Sequence, residues 1–185
     1  METPTLDLDF VRSYFPALQR DFAFMVNAGG SQTLKPVVDK LSEYLLNYDV
    51  QHGASYSVSQ EAVAKVNFAT REMAKYVNAK DPKEIVMSSS STMLFRILSL
   101  TLSKSWQPGD EVITTNSEHE SNCSPWTDLA DKGIVVKIWE VNPETQELDI
   151  NDLKALLTER TKLVTIVHAS NILGTIEELK YGNTL

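Results

Sequence analysis

The sequence predicts an α/β fold with a mostly parallel sheet. Three observations carry that reading. Short apolar, β-type runs at 111–115, 134–139 and 162–167 alternate with stretches of helical spacing, the pattern of βαβ units. The run at 162–167 is apolar at most positions, as in a strand covered on both faces. Each run is followed by polar residues, and in open α/β sheets ligands bind outside the carboxyl ends of the strands.

The elements follow in order. Asp7 can cap a short helix with Phe10, Val11 and Tyr14 on one face, limited by Pro16. The run 23–26 is apolar and is broken by Asn27-Ala28-Gly29-Gly30. Pro36 suits the first turn of a helix carrying Val37, Leu41, Tyr44, Leu45 and Tyr48. His52-Gly53 interrupts. Ser57 or Ser59 can cap a long helix to about Asn78, and Asp81-Pro82 ends that region. A short strand is expected at 84–87, then a helix at 91–103. Pro108-Gly109-Asp110 is a turn before the strand 111–115. A helix at 122–132, with Pro125 in its first turn, precedes the strand 134–139; a helix at 151–157 precedes the strand 162–167.

Composition narrows the function. The chain has 185 residues, 42% of them hydrophobic, enough to bury a core. With 17 Lys and Arg against 25 Asp and Glu, the net charge of −8 argues against nucleic acid as partner. A single cysteine, Cys123, excludes an internal disulfide framework and a multi-cysteine zinc site, and the three histidines lie too far apart in sequence for paired ligand spacing, so no metal is expected. No apolar run approaches a membrane span. The first ten residues carry acids and no basic excess, unlike a signal or transit peptide, so a cytoplasmic location is expected.

The polar strand ends hold the candidate site. Ser88-Ser89-Ser90-Ser91-Thr92 precedes a helix, whose free N–H groups and dipole favour an anion; Ser90 or Ser91 could equally be a plain N-cap. No P-loop lysine follows, which disfavours a nucleoside triphosphate. His119 lies on the polar loop after 111–115, where an imidazole can stack on a flat ring or move a proton, or simply cap the next helix. Asn171, in His168-Ala169-Ser170-Asn171-Ile172-Leu173-Gly174-Thr175, can donate to a ligand oxygen or close an Asx-turn. Cys123 could be reactive at a helix start, or a small packed residue.

These landmarks stand in a familiar order: Asn27-Ala28-Gly29-Gly30-Ser31-Gln32, Pro108-Gly109-Asp110-Glu111, Glu118-His119-Glu120-Ser121-Asn122 with Pro125-Trp126, Glu159 to Val164, and His168 to Thr175. In them the chain resembles the pyridoxal-phosphate (PLP) enzymes of the class-V aminotransferase group, in the cysteine desulfurase and selenocysteine lyase branch. Val50 to Tyr56 and the 118–122 loop are similar to a cysteine desulfurase-like side group. The resemblance implies the large domain of a PLP-transferase of the aspartate aminotransferase type. It implies that Ser91 and Thr92 grip the cofactor phosphate, that His119 stacks on the pyridine ring and moves protons, and that Asn171 bonds the ring hydroxyl oxygen. It places Ala28, Gly29, Gln51 and His52 at the substrate end of a site completed across a homodimer. The Gly usual before the phosphate grip is Ser90 here, and Glu120 replaces a second histidine.

The resemblance also implies a division of the chain. Residues 1–60 would border the substrate side, and 61–185 would form the front half of the PLP-binding domain. The Schiff-base lysine and the acid against the pyridine nitrogen would lie beyond Leu185, as would the small C-terminal domain. The expectation is a truncated piece of a lyase or transferase acting on an amino acid through an external aldimine, inactive alone. The alternative is a non-catalytic α/β fragment binding a phosphate ligand or a partner.

Overall fold

The computed structural model describes residues 5–177. They fall into two compact units, Met1–Ile85 and Val86–Leu185.

The first unit is helical. Asp7 accepts the Phe10 N–H at 3.0 Å and caps α1 (Leu8–Ser13). A 3-10 turn at Pro16–Gln19 follows, with Pro16 at its first position. Then come α2 (Lys35–Asn47), α3 (Ser57–Tyr76) and a second 3-10 turn at Pro82–Glu84. Lys65 on α3 donates to Glu43 on α2 at 3.1 Å and lies 4.4 Å over the Tyr48 ring, which holds the two helices together. Asn78, at φ 58°, turns the chain out of α3 while the Ala79 N–H returns to the Ala74 carbonyl.

Neither Ser57 nor Ser59 caps α3. Tyr56 stands at the cap position without a side-chain bond. Ser59 is fully buried, donating its hydroxyl to the Gln51 carbonyl at 2.6 Å and accepting the Ala54 N–H at 3.0 Å. A buried hydroxyl must be paired, and here it bonds two loop groups rather than one helix-end donor that water can reach.

The second unit is the α/β part. It runs α4 (Ser91–Leu102), β1 (Glu111–Thr115), α5 (Ser124–Thr127), β2 (Val135–Trp139), α6 (Ile150–Leu156) and β3 (Thr161–Val164). The strands form one parallel sheet in the order β2-β1-β3. Val112 pairs with Val136 and Leu163, and Ile113 with Lys137 and Val164. Alternation along β1 sends neighbours to opposite faces. Val112 packs with Trp126, Leu129 and Ile134 on one side, and Ile113 with Trp139 and Leu153 on the other. The central strand is thus covered on both faces.

Three expected elements differ. Residues 84–87 form no strand: the Asp81–Glu84 capping box winds Glu84 into a 3-10 turn, and among the described residues no backbone pairs with the extended residues after it. The expected helix at 122–132 is a helical path in three pieces, a 3-10 turn at Glu120–Asn122, the single turn α5 and a 3-10 turn at Asp128–Lys132, closed by Gly133 at φ 80°. β3 ends at Val164 rather than Val167. Thr165 N–H still reaches the Ile113 carbonyl at 2.9 Å, and among the described residues the ladder to β1 goes no further. Among the described residues, no helix is long and apolar enough to cross a membrane.

Candidate functional site

The site of the second unit is built on parallel neighbours. Because β1 and β3 are adjacent and run the same way, the segments leaving their carboxyl ends emerge at one edge of the sheet. One carries His119 and the other Asn171.

His119 is exposed and stands at the cap of the Glu120–Asn122 turn. Its Nδ1 accepts the Ser121 N–H at 3.1 Å and lies 2.8 Å from the Ser121 hydroxyl. A nitrogen that accepts from an amide carries no proton of its own, so the neutral ring bears its proton on Nε2. His119 therefore caps a turn and still offers the far edge and faces of its ring.

Asn171 opens a turn at 171–173 and is exposed. That turn is closed by Ser170, whose buried hydroxyl accepts the N–H groups of Ile172 at 3.3 Å and Leu173 at 3.1 Å. Gly174 N–H returns to the Ser170 carbonyl, and Ala169 bridges Ile176 in antiparallel sense. Gly174, at φ 76°, supplies the left-handed step.

Ser90 is the N-cap of α4: its hydroxyl accepts the Met93 N–H at 3.2 Å, and its carbonyl takes the Leu94 N–H at 3.1 Å. Ser91 and Thr92 are the first two residues of the helix and are exposed, so their hydroxyls and N–H groups mark its positive end. α4 packs against the Glu120–Asn122 turn, next to His119.

Beneath His119 lies a polar network whose members the sequence reading quoted only as part of a motif. Asn122 is buried. Its Oδ1 accepts from the Trp126 indole at 3.1 Å and the Thr165 hydroxyl at 2.8 Å, and its Nδ2 donates to Glu118 Oε2 at 2.8 Å. Burial raises the Glu118 carboxyl above its ordinary pKa, although Asn122, Val167 and Thr115 all donate to it. Burial likewise raises the Cys123 thiol, with Glu120 and Glu118 adding to the effect, so Cys123 is not an activated nucleophile. A signal was present in the sequence: a Glu, an Asn and a Trp spaced by four residues each, on a strand-to-helix loop. Only the folded sheet brings Thr165 to them.

The remaining expected residues lie in the first unit. Gly29 N–H bonds the Val26 carbonyl in a tight turn with Ala28. The loop 51–54 is pinned by Ser59 and turns at Gly53, φ 83°. His52 Nε2 lies 2.6 Å from the Tyr44 hydroxyl, with the rings edge to face.

The fold is that of part of a PLP-transferase, and comparison with known proteins gives the family. The aminotransferase class-V family profile matches residues 23–181, and the chain belongs to that family. It is 42% identical to the aminotransferase-like protein FGM3 of Gibberella zeae over 97% of this chain and 46% of that protein. It is 32% identical to the cysteine desulfurase-like protein ustD of Aspergillus flavus over 97% of this chain and 42% of that protein. The structure superposes on the cysteine desulfurase of Thermococcus onnurineus with a TM-score of 0.83 and 29% identity, covering 96% of this chain and 44% of that one. The chain thus spans less than half the length of these relatives.

Proposed function

We propose that this chain carries the phosphate-binding and ring-binding side of a cysteine desulfurase-like PLP enzyme acting on an amino acid. The observation that carries the reading is the meeting of the β1 and β3 ends at one sheet edge, with α4 packed on the His119 loop.

The donor set fits the cofactor. A phosphate dianion suits the N–H groups and hydroxyls of Ser91 and Thr92 at the positive end of α4. A flat aromatic ring suits the face of His119. Asn171 supplies an amide that can donate to a ring oxygen. The cofactor, when bound, supplies an electron sink for carbanion chemistry. The chain's own residues anchor and orient it: Ser91 and Thr92 hold the anionic end, Asn171 sets the in-plane rotation, and His119 limits tilt. Ser121 holds His119 with its proton on Nε2, where it can pass a proton to or from a substrate atom. Ala28, Gly29, Gln51 and His52 serve the substrate end in a homodimer.

Covalent anchoring and turnover, in this reading, are not functions of the 185 residues alone. Lys162 Nζ lies 3.9 Å from Asp110, and Lys137 bonds Glu111 and the Leu156 carbonyl. Lys162 is the second residue of β3, and the Lys137 ammonium reaches back to the first residue of β1, at the end of the sheet opposite His119. Lys180 lies outside the described residues. The test is to mix the purified chain with PLP, reduce with borohydride, and map labelled lysines by peptide mass. Saturable PLP binding with scattered, substoichiometric labelling is expected. One lysine labelled stoichiometrically, with amino-acid turnover, would overturn the non-covalent reading. No saturable binding would overturn the cofactor reading itself.

A further inference from the structure

Glu118 and Asn122 flank His119 in sequence, yet neither presents its side chain to a ligand. Their bonds run inward. Asn122 cannot turn over: an indole N–H can only donate, so Oδ1 must face Trp126 and Nδ2 must face Glu118. The same Oδ1 takes the Thr165 hydroxyl, one residue past β3. Glu118 holds the Nδ2 of Asn122, so that the Oδ1 stays on Thr165. One tether thus joins the loop after β1 to the segment after β3, just past His119. Asn171 follows six residues beyond Thr165.

We propose that Glu118 and Asn122 are positioning residues, which bolt the His119 loop to the end of β3 and so set His119 against the turn that carries Asn171. What the two groups are positioned for rests on the cofactor reading above; the bolt itself does not.

The test uses the whole chain and the variant N122D. It keeps the acceptor for Trp126 and Thr165 but sets a second carboxylate against Glu118. By amide exchange at about pH 8, the amides of Ser121 and of position 122, both bonded to His119, should exchange at least about tenfold faster, with the β1 ladder unchanged. PLP affinity should fall by about tenfold or more. In E118Q/N122D the new amide at 118 can donate to the new carboxylate at 122, and both losses should recover to within about threefold. If N122D does not fold, T165V, which removes the tether without adding charge, should loosen the same two amides by about threefold.

The proposal is overturned if the amides of Ser121 and of position 122 are unaffected, if every amide accelerates equally, or if the double variant restores nothing. It is also overturned if N122D loosens both amides and still binds PLP as the parent does. A parent chain that binds no PLP sinks the cofactor reading instead, and the exchange data then decide whether the bolt exists.

Discussion

Lys137 on β2 donates to Glu111 on β1 at 2.8 Å, and the same carboxylate oxygen accepts the hydroxyls of Thr158 at 2.7 Å and Thr161 at 3.2 Å. One oxygen at the amino end of β1 thus ties that strand to the middle of β2 and to the start of β3. The Lys137 bond, followed by Thr158, holds the Glu111 carboxyl below its ordinary pKa. Its stabilisation is therefore present above the unfolded value of about 4.3 and is lost as pH falls through the lower folded value. E111Q should be less stable than the parent near neutrality, and the gap should close in acid. Urea midpoints measured across that range check this; a pH-independent gap would refute it.

Glu118 should behave in the opposite sense. Burial raises its folded pKa, so the folded chain binds the proton more tightly than the unfolded one. Stability carried by the protonated form is then lost as pH rises from the unfolded value of about 4.3 through the higher folded value. Replacing Glu118 by Gln removes that loss. The stability of the parent relative to E118Q should decline with rising pH over this window, and a relative rise would show that the donors outweigh burial.

Gly133 sits at φ 80°, where an added Cβ would also lie 3.0 Å from Pro108 Cβ. Gly133→Ala should cost about 1–2 kcal/mol from the left-handed backbone alone. Gly30 has no such φ and no neighbour within 4 Å of an added Cβ, so Gly30→Ala should be close to neutral. Thermal midpoints of the two variants make the comparison.

The Thr114 hydroxyl is buried in β1 without a hydrogen-bond partner among the described residues. Valine has the same shape and no polar atom to leave unpaired. Thr114→Val should stabilise the chain by about 1 kcal/mol, the lower end of the cost of an unsatisfied buried group. Loss of stability in a chemical denaturation series would mean the hydroxyl has a partner in solution.

Ser91 and Thr92 carry the last expectation. Each neutral hydroxyl bonded to an anion contributes about 1.5–3 kcal/mol. Changing both to Ala should weaken PLP or inorganic phosphate by at least about tenfold, with residual binding through the backbone N–H groups. Unchanged affinity by titration calorimetry would leave the pair as ordinary first-turn residues.

Much of this protein was legible before folding. The Asp7 cap, the Pro36 start of α2 and the three strands around 111–115, 134–139 and 162–167 follow from local chemistry, because caps, proline geometry and apolar runs act within a few residues. The class-V landmarks likewise lie in short stretches of chain, so the family could be read from them. Where the reading failed, a distant group competed. Ser59 left the helix cap for the Gln51–Ala54 loop. Among the described residues no backbone pairs with 84–87, and β3 ends at Val164. By itself the sequence determined the parallel α/β order and the residue types at each strand end. Only the tertiary structure decided that Thr165 meets Asn122. That bond joins residues 43 positions apart, and its geometry exists only once β1 and β3 lie side by side.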